Sequence, residues 1–157
     1  MTNSGEGLDT VIGGSVKAAD PEAASGCAAR GAACEESGDR LGAISAYREA
    51  VELGAGPDVL FRLGWLLDQH GEEDESVACY ERIVNSSSAL PSLNAMVNLA
   101  IVYEDRGDID AAERCLRKVL ETAPDNPRAR LFMKDIGASK NMYYDEEQER
   151  REDKRNK

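Results

Sequence analysis

Aromatic side chains are scarce here, with one tryptophan, two phenylalanines and five tyrosines in 157 residues. Runs rich in Val, Ile and Thr are scarce too, while Ala, Leu, Glu and Arg dominate the middle of the chain. That balance argues against a β-sandwich or barrel and for an all-helical protein. There is a single histidine, His70, and none of the four cysteines forms a C-x-x-C pair. Zinc-ligand spacing is therefore missing, as are a Ser/His/Asp set and a phosphate loop, so no enzyme class finds a candidate residue and no cofactor is expected. Positive charge is also in deficit. The net charge is −11, and residues 145–157 carry little of it, with six acids against five bases. The acidic part is the body of the chain, a poor surface for phosphate backbones, so direct nucleic-acid binding is not expected. No basic residue precedes Lys17, and no apolar stretch is long enough for a signal peptide or a membrane span. The expectation is a cytoplasmic protein without membrane contact.

What is present is a phrase repeated three times. The turns Ser37-Gly38-Asp39, His70-Gly71-Glu72 and Arg106-Gly107-Asp108 place their glycines 33 and then 36 residues apart. Upstream, at the same steps, lie Gly31, Gly64 and Ala100; downstream come Ala43 with Tyr47, Ser76 with Tyr80, and Ala112 with Leu116. A period of this length is the mark of a helical repeat array, which works by presenting a surface.

Helix punctuation agrees. Asp20-Pro21-Glu22 offers an N-cap acceptor, a first-turn proline and an early acid, predicting a helix to about Ser37. Leu41, Ile44, Tyr47 and Val51 follow at helical spacing, up to Gly54-Ala55-Gly56. Pro57 opens a helix with Leu60, Leu63 and Leu67, and after Gly71 another carries Val77, Tyr80, Ile83 and Val84. Asn85–Ser88 reads as a loop absorbing the longer step, Pro91 as the start of the helix bearing Met96, Leu99 and Tyr103. Ile109, Ala112, Leu116 and Val119 mark the sixth helix, and Asn126-Pro127 opens a seventh that ends near Gly137. Residues 1–19 read as a flexible lead and 138–157 as a charged tail or interdomain linker. The cysteines read as small buried apolar residues: Cys27 and Cys34 share a helix face, and Cys79 and Cys115 are equivalent in repeats two and three. Gly31, Gly64 and Ala100 would let each first helix approach Ala43, Ser76 and Ala112 of the second.

With these positions in hand the chain resembles the tetratricopeptide repeat (TPR) family, whose consensus runs from a large residue through Leu-small and an aromatic to Ala, an aromatic and a closing proline. The third repeat fits through Met96, Leu99-Ala100, Tyr103, Ala112, Leu116 and Pro124. The second fits through Leu60, Leu63-Gly64, Leu67, Ser76 and Tyr80. The first has Cys27, Arg30-Gly31 and Cys34 where a large residue, leucine and tyrosine are usual. The resemblance covers about residues 21–137 and implies an α-α superhelix of three helix pairs (about 24–56, 57–92 and 93–126) plus a capping helix over 127–137. A second resemblance lies in the tail: residues 131–157 look like the segment that in certain bacterial proteins joins such repeats to a module similar to the C-terminal domain of the RNA polymerase α subunit. It implies the adaptor part of a transcription-associated bacterial protein.

The family resemblance implies a non-catalytic scaffold that holds a protein or peptide in the groove of the first helices. The residues there not needed for packing are Ser25, Ala28, Ala29 and Ala32 in repeat one. Repeat two offers Asp58, Phe61, Arg62, Trp65 and Asp68; repeat three offers Asn94, Val97, Asn98, Ile101 and Glu104. The expected peptide-binding groove is therefore Phe61, Trp65, Val97 and Ile101 as an apolar stripe, flanked by Arg62, Asn94 and Asn98. For Trp65 and Phe61 the alternative is packing against the neighbouring helix or the flexible lead. Arg62, Asn94 and Asn98 are only part of the carboxylate clamp by which such repeats grip chaperone tails, and the acidic body opposes an acidic ligand. The alternative to a peptide scaffold is self-association of the array as a homo-oligomer.

Overall fold

Asp20 begins the first helix by accepting a hydrogen bond from the Ala23 amide at 3.0 Å, with Pro21 at the first helical position. The N-cap is worth about 1 kcal/mol. This computed structural model describes residues 19–86, 89–138 and 140. The expected lead and tail, apart from Ala19, Ala138 and Lys140, lie outside them, as do Ser87 and Ser88 of the expected loop.

Six helices follow in order: α1 (Pro21–Ser37), α2 (Arg40–Glu52), α3 (Pro57–His70), α4 (Glu73–Val84), α5 (Ala89–Asp105) and α6 (Ile109–Thr122). A seventh, α7, occupies 127–138. They pair as α1–α2, α3–α4 and α5–α6, and each pair stacks on the next through α2–α3 and α4–α5. The all-α superhelix of three pairs is as expected. One boundary is corrected: α5 begins at Ala89, two residues before Pro91, because a proline is tolerated anywhere in a first turn, where amides lack helical partners.

The three turns share one device. Gly38, Gly71 and Gly107 have φ of 79°, 83° and 80°, the left-handed region in which a side chain costs about 1 kcal/mol or more. Each reverses the chain tightly, and Asp39 and Asp108 then cap α2 and α6 through the amides of Gly42 and Ala111.

Close approach within a pair rests on the small residues of the first helices. A Cβ on Gly31 would lie 2.6 Å from the Tyr47 ring, and one on Gly64 would lie 3.0 Å from the Tyr80 ring. The tyrosines thus fill the space that the missing side chains leave. Ser76 also meets Gly64, its hydroxyl donating to the glycine carbonyl at 2.8 Å.

The core forms two clusters, and α5 feeds both. Ala95, Leu99 and Val102 join Tyr47, Leu63, Leu67, Tyr80 and Ile83 in the first. Val97 and Ala100 join Ala112, Leu116 and Val119 in the second, together with Ala129 and Ile136 of α7. α7 therefore closes the last apolar face. Its far end is tied down by Lys140, whose ammonium bridges Asp110 and Glu113 of α6. Arg48 of α2 makes a similar bridge to Glu72 and Glu75 at the start of α4. α1 buries only Ala24, Cys27 and Gly31, so most of the first repeat's core comes from Ala43, Ile44, Ala46, Tyr47 and Ala50 of α2.

Candidate peptide-binding groove

One face is lined by α1, α3, α5 and α7. Side-chain bonds hold it together: Arg62 of α3 reaches Glu35 of α1 at 3.0 Å, and Arg128 of α7 reaches Asn98 of α5 at 2.8 Å. α3 and α5 are in direct contact. In the middle stands Trp65, 44% exposed and among the few large apolar side chains left open to solvent. Aromatic side chains of this kind are the usual anchors of protein–protein interfaces.

The other expected groove residues divide. Phe61 is half-buried and meets the Tyr80 ring edge-on, with centroids 5.8 Å apart; one side of it is core. Arg62 is exposed but paired with Glu35, and Asn94 is exposed. Ile101 is half-buried against the second cluster. Two placements are corrected. Val97 is 1% exposed and belongs to the core, because α7 covers the face that would otherwise look into the groove. Asn98 is buried as well, donating from Nδ2 to the Tyr80 hydroxyl at 3.1 Å and accepting from Arg128 at Oδ1. Its amide joins α4, α5 and α7 to each other, and both of its ends are occupied.

The expectation named Asp68 and Glu104 as groove-helix positions but left them out of the site, and it missed Glu35 and the spacing the three share. Glu35, Asp68 and Glu104 recur at 33 and 36 residues, the steps of the turn glycines. Asp68 lies one turn beyond Trp65, and Glu104 one turn beyond Ile101, so each acid shares a helix face with an apolar neighbour. Glu35 accepts hydrogen bonds from Arg62 and from the Tyr47 hydroxyl. Burial pushes the Asp68 carboxyl above its ordinary value, and the charges of Asp105 and Glu73 push it further. Glu104 is raised by burial, then by Asp105 and Asp135. The signal was in the sequence as a periodicity of charge.

Nucleophilic chemistry gains no support from the thiols. Burial pushes Cys79 up to about 11, leaving it protonated at neutral pH, and raises Cys115 likewise. All four cysteines are free thiols and two, Cys27 and Cys79, are buried. Among the described residues no helix is long and apolar enough to cross a membrane.

The fold recurs widely among solved structures. The first TPR domain of Spaghetti (RPAP3), bound to the HSP90 peptide SRMEEVD, superposes with a TM-score of 0.68 at 15% identity, over 77% of this chain and 95% of that one. The N-terminal domain of stress-induced protein-1 from C. elegans gives 0.65 at 18% identity, over 74% and 96% of the two chains. PilF from Pseudomonas aeruginosa gives 0.69 at 20% identity, over 80% and 57%. No curated protein sequence matches this chain. Two tetratricopeptide repeat family models match it directly, at residues 29–91 and 93–136. These cover well over half of the chain, in register with the turns and small-residue positions described above: the chain belongs to the tetratricopeptide repeat family.

Proposed function

We propose that this protein is a non-catalytic protein–protein interaction scaffold whose groove holds an extended peptide or a helix of a partner. The observation that carries this reading is Trp65, left 44% exposed on α3, which is in contact with α5, while Arg62 one turn before it and Asn94 of α5 are exposed too. Peptide binding by structural neighbours adds support, since the RPAP3 domain holds an HSP90 peptide. The test is capture of partners by the full chain, by Trp65→Ala and by Leu41→Ala, the last an exposed apolar position on α2. A groove partner is lost from Trp65→Ala alone. Equal capture by all three proteins sinks the reading.

One observation favours self-association as a second reading: Leu131 on α7 is 57% exposed, an open apolar side chain on the terminal helix. The narrower role, adaptor part of a transcription-associated bacterial protein in the cytoplasm, is supported by the resemblance of residues 131–157. The coding sequence beyond Lys157 tests it, a polymerase-α-like helical module there being the expected result.

A further inference from the structure

Charge along the groove identifies the class of partner. The end of an α-helix carries about half a negative elementary charge on its free carbonyls, so cations are favoured there and acids are not. Three groove helices do the reverse. Glu35 stands in the last turn of α1, Asp68 in that of α3 and Glu104 in that of α5, and the last turns of α1 and α5 have no basic residue at all. The acids also crowd one another: Asp105 of α5 acts on Asp68 of α3 and on its own neighbour Glu104, and Asp135 acts on Glu104 from α7. Two cations share this face, and each is already held, Arg62 by Glu35 and Arg128 by Asn98. Glu35 has a structural reason to be acidic, since it holds Arg62 and the Tyr47 hydroxyl; at the part-exposed Asp68 and Glu104 positions glutamine or lysine would suit the helix ends better. Such local conflict is a mark of residues kept for a ligand. The apolar stripe runs alongside, with Trp65 preceding Asp68 and Ile101 preceding Glu104 by one turn.

We infer that the groove takes a cationic peptide segment, in which lysine or arginine side chains alternate with apolar ones. The apolar side chains cover Trp65, and the cations lie along Asp68 and Glu104, Glu35 being held by Arg62. The inference rests on the groove being the binding surface, and it deepens that reading by fixing the sign of the ligand. A cation here is attracted by the carboxylates and by the helix ends behind them, and an arginine gains further by stacking on the indole. This chemistry is opposite to that of the acidic peptide SRMEEVD on the RPAP3 domain.

The experiment uses the full chain and three labelled decapeptide pools that share their apolar positions and carry Lys/Arg, Gln or Glu at the others. Fluorescence anisotropy is expected to show binding of the Lys/Arg pool alone. That affinity falls about tenfold in the Asp68→Asn/Glu104→Gln double variant and about as much in Trp65→Ala. It also falls as salt is raised to about 0.5 M. Circular dichroism and melting verify that the variants fold; the salt series tests the charge dependence without any variant. Equal or tighter binding of the Gln or Glu pool overturns the inference, and if that binding is lost in Trp65→Ala the groove reading survives. Binding of the basic pool that is unchanged in both variants, or no binding of any pool, overturns both.

Discussion

Asn98 donates its side-chain amide to the buried hydroxyl of Tyr80 at 3.1 Å. The bond spans the contact between repeats two and three, and Arg128 completes it from α7 on the other side of the same amide. Asn98→Leu removes both bonds at once and leaves the Tyr80 hydroxyl, in a buried site, without its donor. The expected loss is about 1–3 kcal/mol of stability, measured by chemical denaturation. A variant as stable as the wild type contradicts the structural role assigned to this residue.

Gly31→Ala is expected to destabilise the first repeat. Its Cβ would sit 2.6 Å from the Tyr47 ring, and the ring is 1% exposed with little room to yield. The gain in helix propensity, about 1 kcal/mol, is outweighed by overpacking of about 1–3 kcal/mol. Hydrogen exchange in α1 and α2 should accelerate more than in α6. Pairing the change with Tyr47→Leu, which removes the ring that the new Cβ would meet, should recover part of the loss.

Asp68→Asn should raise stability. The native carboxyl is raised by burial, Asp105 and Glu73, so the folded protein holds its proton more tightly than the unfolded chain does. Such a group destabilises the fold above its folded pKa and ceases to do so as pH falls through it. Its neutral isostere should therefore melt about 1–2 °C higher near pH 7. Combined with weaker binding of a basic peptide, that gain in stability marks a residue kept at the expense of the fold.

Glu113 behaves in the opposite sense. Lys140 and then Arg117 hold its carboxyl down to about 2, against an ordinary 4.5. The contribution of this pairing is present above the ordinary value and is lost as pH falls from there toward about 2. In Lys140→Met the Glu113 midpoint, followed by carboxyl NMR, should rise toward the ordinary value, and the end of α7 should exchange faster.

Most of the fold was legible because its signals are local or periodic. Asp20, Pro57 and the glycines of the three turns mark where helices start and reverse, and each does so for a backbone reason that holds in isolation. The helix start at Ala89 was missed because Pro91 is compatible with several first-turn positions. The groove was less legible. Its assignment treated α5 as α3 moved along by one repeat, but what covers a residue depends on the helix that follows. α7 packs over Val97 and takes the amide of Asn98, and neither contact is written in the repeat phase. Trp65 and Arg62 came out exposed, as read. The acids at Glu35, Asp68 and Glu104 were visible singly; their meaning lay in a shared spacing and in the helix ends they occupy.

Trp65 is the only tryptophan in the chain, so its emission reports on the groove directly. Titrating the full chain with a partner peptide should shift the emission to shorter wavelength and shield the indole, now 44% exposed, from acrylamide quenching. Saturable binding that leaves both emission and quenching unchanged would contradict the central claim that the partner lies on Trp65.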